Sequence, residues 1–162
     1  MAKFSIGPGI DKYISSLSAL TAATPHIIGL AVFEGAKIVT DEVRKGIQGL
    51  PVVDTNFRGK ERPTMIRGVN KTQKEGLLDG LGIASMRNEG GYWNVKVGED
   101  GYNNVATRGR RQANAMIARS VESGTSFRQK TPFIAPAVNR TKAAAEKKMA
   151  EVVDKEIQTI VN

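Results

Sequence analysis

The chain has no cysteine and a single histidine in 162 residues. The first absence removes disulfide scaffolds, thiolate metal sites and cysteine nucleophiles together, and it fits a reducing compartment. The second leaves only His26 and argues against His-rich metal centres and most acid–base triads. Aromatic residues make up only 6%, too few for a dense stacking surface. The opening MAKFSIGPG has no secretory apolar run, and no stretch reads as the ~20 apolar residues of a membrane span. The expectation is a soluble, intracellular chain with no membrane partner. Catalytic signatures are missing as well: no G-x-S-x-G, no H-E-x-x-H and no phosphate loop, since Gly80-Leu81-Gly82 is too short to cradle phosphate. Asp79, Glu89, Glu99 and Asp100 could pair as a carboxylate site, but turn chemistry explains them more simply. No enzyme, cofactor or metal site is expected.

What is present is positive charge in two places. The length suits one domain, 1–162, large enough to fold without metal or disulfide. Net charge is +8, from 24 basic and 16 acidic residues. Residues 51–75 hold Arg58, Lys60, Arg62, Arg67, Lys71 and Lys74 against three acids, an excess of +3. Residues 101–131 hold Arg108, Arg110, Arg111, Arg119, Arg128 and Lys130 against Glu122 alone, an excess of +5. The remainder is balanced.

Periodicity predicts a short amphipathic helix over 10–20 from Ile10, Tyr13, Ile14, Leu17 and Leu20. Thr24-Pro25 then reads as an N-cap and first position of a second helix. The stripe of that second helix is Ile28, Val32, Ala36, Val39, Val43 and Ile47, stopped by Gly49 and Pro51. Residues 51–75 show no period and read as a long basic loop. Asn88-Glu89-Gly90-Gly91 is a turn signal, and Trp93, Val95 and Val97 alternate with polar neighbours, giving a hairpin over 81–98. Residues 98–104 read as a loop leading to the arginine cluster, and 113–122 could be helix or strand. A last helix is expected over 136–161, opened by Pro136, with Ala145, Met149, Val152, Val153, Ile157 and Ile160 on one stripe. At 1.5 Å per residue it would be nearly 40 Å long. Its first half should pack on the sheet, and its far end on the early helix or an adjacent subunit. The sum is an α+β fold: a small antiparallel sheet flanked by an N-terminal helical region and a long C-terminal helix.

Arg108, Arg110 and Arg111 beside Tyr102 could clamp phosphates with a stacked base. A solvated basic loop meeting an acidic protein surface explains the same residues, so a small nucleic-acid-binding module stays open as an alternative function. The most specific string is ANAMIARSVESGTSFRQKTPFIAPA over 113–137. Gly124 can turn the backbone, the hydroxyls of Thr125 and Ser126 can bond nearby N–H groups, and Phe133 between Pro132 and Pro136 should be buried ahead of a helix.

That string resembles the family of tailed-bacteriophage neck and tail-completion proteins typified by gene product ten of phage HK97. Members commonly show a glutamate, a variable residue, Gly-Thr-Ser, then Pro-Phe, a short gap and Pro-Ala opening a terminal helix. Glu122, Gly124, Thr125, Ser126, Pro132, Phe133, Pro136 and Ala137 occupy those places. The early helix ending in Pro51-Val52-Val53-Asp54-Thr55 is also similar. Where members continue with glycine and a leucine-led segment, this chain has Asn56-Phe57-Arg58-Gly59 and a longer basic loop.

The resemblance implies a structural virion protein at the head–tail junction or upper tail end, made in the host cytoplasm and built as a ring, six subunits being the implied number. Its expected partners are further copies of itself and neighbouring head-completion, connector, tail-terminator or tail-tube proteins. DNA would pass through without sequence-specific binding. The candidate interface residues are Arg58, Lys60, Arg62, Arg67, Arg108, Arg110, Arg111, Ile157 and Ile160.

Overall fold

A computed structural model describes residues 8–54, 64–107 and 109–161. Two long helices dominate it. Helix α1 runs Pro8–Gln48 without a break, where sequence periodicity divides the segment in two. Pro25 lies inside α1. Its ring removes one helical N–H and crowds the carbonyl four residues back, at a cost of about 3 kcal/mol. The helix continues because this part of it is exposed, so water can take the freed carbonyl. Thr24 is therefore an interior residue rather than a cap, and its hydroxyl donates to the Leu20 carbonyl at 2.8 Å. Thr21 does the same to Leu17 at 2.9 Å.

Between Lys12 and Glu34 the helix carries no charged side chain, and Ile14–Gln48 is long and apolar enough to cross a membrane by length and composition. This corrects the expectation that no such stretch exists. Only 17% of its most apolar window is buried, and the buried positions of α1 gather toward its C-terminal half. Ile27, Ala31, Ala36, Val43 and Ile47 are buried. Buried Thr40 joins that face by returning its hydroxyl to the Ala36 carbonyl at 2.8 Å.

Its partner is α4, Ile134–Val161, which lies antiparallel to α1. A Cβ on Gly46 would sit 3.1 Å from Phe133 Cβ, and one on Gly35 would meet Met149, while Arg140 pairs with Glu42 at 3.1 Å. The expectation that Ala145, Met149 and Val152 pack on a sheet is thus corrected. The glycines of α1 let the two rods close on each other, which no sheet surface could match over that length. Continued along the helices, the register sets Ile157 and Ile160 beside the N-terminal half of α1, and both are half-buried. Beyond them Ile14 and Leu17 stay more than half exposed.

Between the helices the chain makes short pieces. β1 (Ile66–Arg67) pairs in parallel with β8 (Arg128–Gln129), within the segment read as a structureless loop. Helix α2 (Lys71–Gly80) follows, opened by a capping box in which Asn70 and Gln73 exchange side-chain and backbone bonds. β2 (Leu81–Ile83) pairs antiparallel with β5 (Val97–Glu99), and β3 (Arg87–Glu89) with β4 (Tyr92–Asn94) across Gly90-Gly91, both at positive φ. This is the hairpin expected over 81–98. Residues 102–113 form a second hairpin, β6 (Tyr102–Thr107) with β7 (Arg110–Ala113), where a loop was expected at its start. Helix α3 (Asn114–Ser123) resolves the ambiguous run. The fold is α+β, with its small sheets kept as separate two-stranded ladders. Its core gathers Val43, Ile47 and Leu50 of α1 with Leu77, Leu81, Ile117, Val121, Phe133 and Ala137.

Candidate functional site

The string that resembles the phage family folds as one joint between α3 and α4. Gly124 ends α3 at φ +77°, and its N–H donates to the Ser120 carbonyl at 3.1 Å. A Cβ there would stand 3.1 Å from the Lys130 nitrogen, so glycine is required by both conformation and space. The chain then doubles back. Thr125 N–H donates to Arg128 O at 2.9 Å, and Arg128 N–H to the Thr125 hydroxyl at 3.1 Å. Thr131 N–H closes onto Val121 O at 2.8 Å. Ser126 and Phe127 form the exposed tip. Phe133 is 3% exposed, as expected, and it lies against Gly46 of α1 within the buried core.

Glu122 explains the spacing. A helix begins with N–H groups that have no partner within the helix, and α4 begins two residues before Pro136. Proline removes one of those donors, leaving the N–H groups of Phe133, Ile134 and Ala135. Glu122 accepts all three, at 2.7, 2.9 and 2.9 Å. Burial works to raise its pKa, but these three donors and the Lys130 charge outweigh it, and the carboxyl lies below its ordinary value. Ala137, fully buried, lets the first turn of α4 approach the core.

A second polar device ties β1, α2, β6 and β7 together. Arg128 is 4% exposed and donates to Gly68 O at 2.7 Å and Gln73 Oε1 at 3.3 Å. Its burial lowers its pKa. Gln73 in turn donates to Gln112 at 3.1 Å. Buried Asn103 donates to Thr72 O at 3.1 Å and accepts from Val105 N–H at 3.0 Å, and Asn114 donates to Asp100 O at 2.8 Å. Gly76 and Gly80 make room for them: a Cβ on Gly76 would reach 2.1 Å from Asn103 Nδ2, and one on Gly80 2.4 Å from Asp100 O. The sequence reading counts Arg128 only in the basic excess of 101–131 and does not find α2. The pair Asn70 and Gln73, three apart, is the capping-box signal that marks it.

The basic residues separate into groups. Arg67, Arg110 and Arg111 are exposed, with Arg110 and Arg111 at the start of β7. Arg58, Lys60, Arg62 and Arg108 lie outside the described residues. Tyr102 is 70% exposed on the same hairpin. His26 is exposed inside α1.

Beside the joint runs a groove of about 350 Å³ between α1, α3, the start of α4 and the β2–β5 ladder. Val39, Val43, Leu81, Val97, Ile134 and Val138 give it apolar walls, and Arg119, Glu122 and Glu99 are its charged members. Glu99 is a strand residue, not the turn residue expected. Both of its carboxylate oxygens are shielded with no hydrogen-bond partner among the described residues. Burial pushes its carboxyl up to about 7, against a smaller downward pull from Arg44. Among the described residues, no group of three or more His, Asp or Glu side chains could hold a metal ion. The arrangement offers a joint, an apolar groove and a basic hairpin. No protein-family model, no curated protein and no solved structure matches the chain.

Proposed function

We propose that this chain is a structural subunit of a tailed-bacteriophage virion, acting at the head–tail junction or upper tail end in tail completion and head–tail joining. It works as an assembly part, without catalysis, by closing into a ring, with six subunits as the implied number. Its neighbours are head-completion, connector, tail-terminator or tail-tube proteins, and DNA passes through the ring without being read.

The observation that carries this reading is the joint. Glu122, Gly124, Thr125, Phe133, Pro136 and Ala137, which resemble the family's pattern, act as one interlock in which each residue type has a stated job. That these residues serve one joint in this chain is what supports the reading. The exposed Ile14 and Leu17 at one end of α1 and the open groove at the other end of the fold supply two unlike surfaces, as a head-to-tail ring requires.

Deleting the reading frame from the phage that carries it tests the proposal. Filled heads and free tails should accumulate unjoined, and the chain supplied in trans should restore infectious particles. Normal particles without the chain would overturn the reading.

A nucleic-acid module is the second reading, favoured by exposed Tyr102 beside Arg110 and Arg111. It predicts DNA affinity that falls steeply with salt, with a slope near −0.9 per phosphate contact. Structural passage of DNA predicts no such tight binding.

A further inference from the structure

The N-terminal half of α1 is apolar and mostly uncovered. Residues 13–33 carry no formal charge at pH 7, and only 17% of the helix's most apolar window is buried. A helix that builds a protein core buries most of such a window, so the chain's own core does not account for this composition. Charge tells one cover from another. A protein partner covers one face of a helix, and the faces left to water then carry charge. Around residues 13–33 no face does, not even at exposed Ser15, Ser18, Ala22 and Thr24. The hydrocarbon layer of a lipid bilayer touches every face at once.

Length and ends agree. At 1.5 Å per residue the run is about 31 Å long, and a bilayer's hydrocarbon core is about 30 Å thick. Charge returns directly beyond it, with Asp11 and Lys12 before and Glu34 and Lys37 after. Lys37 Nζ stands 4.9 Å over the Phe33 ring, an aromatic and a cation together at one end, as at a membrane interface. Thr21 and Thr24 return their hydroxyls to the Leu17 and Leu20 carbonyls, and the donor that Pro25 withholds is a defect that membrane helices tolerate. Beside the run lies the end of α4, with Ile157 and Ile160 half-buried. No hydrogen bond or ion pair among the described residues joins α4 to residues 13–33. Separation therefore breaks apolar contacts alone. Ile157 and Ile160 pass to water, whereas Ile14, Leu17, Leu20, Ile28, Leu30 and Val32 gain hydrocarbon on all sides.

We infer that the chain has a membrane-bound form in which residues 13–33 leave the end of α4 and cross a lipid bilayer as one helix, with Lys12 at one interface and Lys37 at the other. The inference goes beyond the ring reading and does not rest on it. Ile14 and Leu17 lie within the run, so a bilayer and a neighbouring subunit compete for them.

The chain has no cysteine, so a single introduced thiol reports its own surroundings. Full-length Ala22→Cys and Lys142→Cys, both at exposed positions, are reconstituted from mild detergent into phosphatidylcholine vesicles. They are then treated with N-ethylmaleimide, which enters both aqueous sides but reacts with hydrated thiolates. Ala22→Cys should label readily in water and at least about tenfold more slowly in vesicles, because lipid excludes the thiolate. Lys142→Cys should label equally in both. Ala22→Lys, checked by circular dichroism for an intact fold, should lower partition into the vesicles by about a hundredfold. Binding should persist at high salt, where adsorption through net charge is screened. Equal labelling of Ala22→Cys with and without vesicles, or binding that salt removes or that Ala22→Lys leaves unchanged, would overturn the inference. Self-association weakened by Ala22→Lys, with no vesicle binding by the wild type, would assign this face to a neighbouring subunit and overturn the inference while leaving the ring standing.

Discussion

Two glutamates line one groove and behave oppositely. Glu122 gathers three backbone N–H groups at a helix start and is held below its ordinary pKa. Glu99, across the apolar walls, has no donor and is pushed up to about 7. The side chains are identical, so the difference lies in what the backbone offers. At the joint, α4 arrives with donors that proline and a helix terminus leave free. At β5 no donor among the described residues reaches the carboxylate. A carboxylate supplied with donors is held charged, whereas one stripped of water without them is pushed toward its neutral form.

The comparison can be broken at its strong side first. Phe133→Ala removes the buried ring that anchors the joint and should cost about 3–5 kcal/mol in chemical denaturation. Glu122→Ala should cost about 2–3 kcal/mol, kept below the sum of three charge-assisted bonds because the side chain is partly exposed. The variant should also lose part of the wild type's acid sensitivity. A depressed folded-state pKa gives stability that is present above the unfolded value and lost as pH falls through the folded one.

Two smaller effects sharpen the contrast. Gly76→Ala gains about 1 kcal/mol of helix propensity, yet its Cβ would collide with Asn103. Overpacking by 1–3 kcal/mol should therefore win, with a net loss of about 1 kcal/mol in thermal or chemical unfolding. Glu99→Gln should have the opposite sign from Glu122→Ala. The folded pKa of Glu99 is raised, so wild-type stability is fully present below pH 4.5 and declines as pH rises to about 7. Relative to wild type, Glu99→Gln should gain on the order of 1 kcal/mol or less at pH 8 and nothing at pH 4, read as melting temperatures across that range.

The parts legible in sequence are those with local causes. The stripe of α1, the turn at Gly90-Gly91, the Gly124 turn and the burial of Phe133 follow from periodicity and residue chemistry within a few positions. Pro25 misled because its rule concerns the lone helix, and a solvated stretch of a 41-residue rod can bear it. Helix α2 was hidden by two glycines that look like breakers and serve as clearance for Asn103 and Asn114. Counting Arg128 in a basic segment and Glu99 among turn acids says nothing of burial, because composition cannot say which charge folding will bury. Their roles depend on residues tens of positions away, Gly68 and Gln73 for one and Val39 and Arg44 for the other. The basic loop's own contacts, carried by Arg58, Lys60 and Arg62, lie outside the described residues.

The central claim, a structural subunit that closes on itself, meets its most direct test in electron microscopy of the purified full chain. The account predicts closed rings of one rotational symmetry, formed by unlike surfaces meeting head to tail. Particles that stay monomeric, or that grow as open filaments with no closed form, would contradict it.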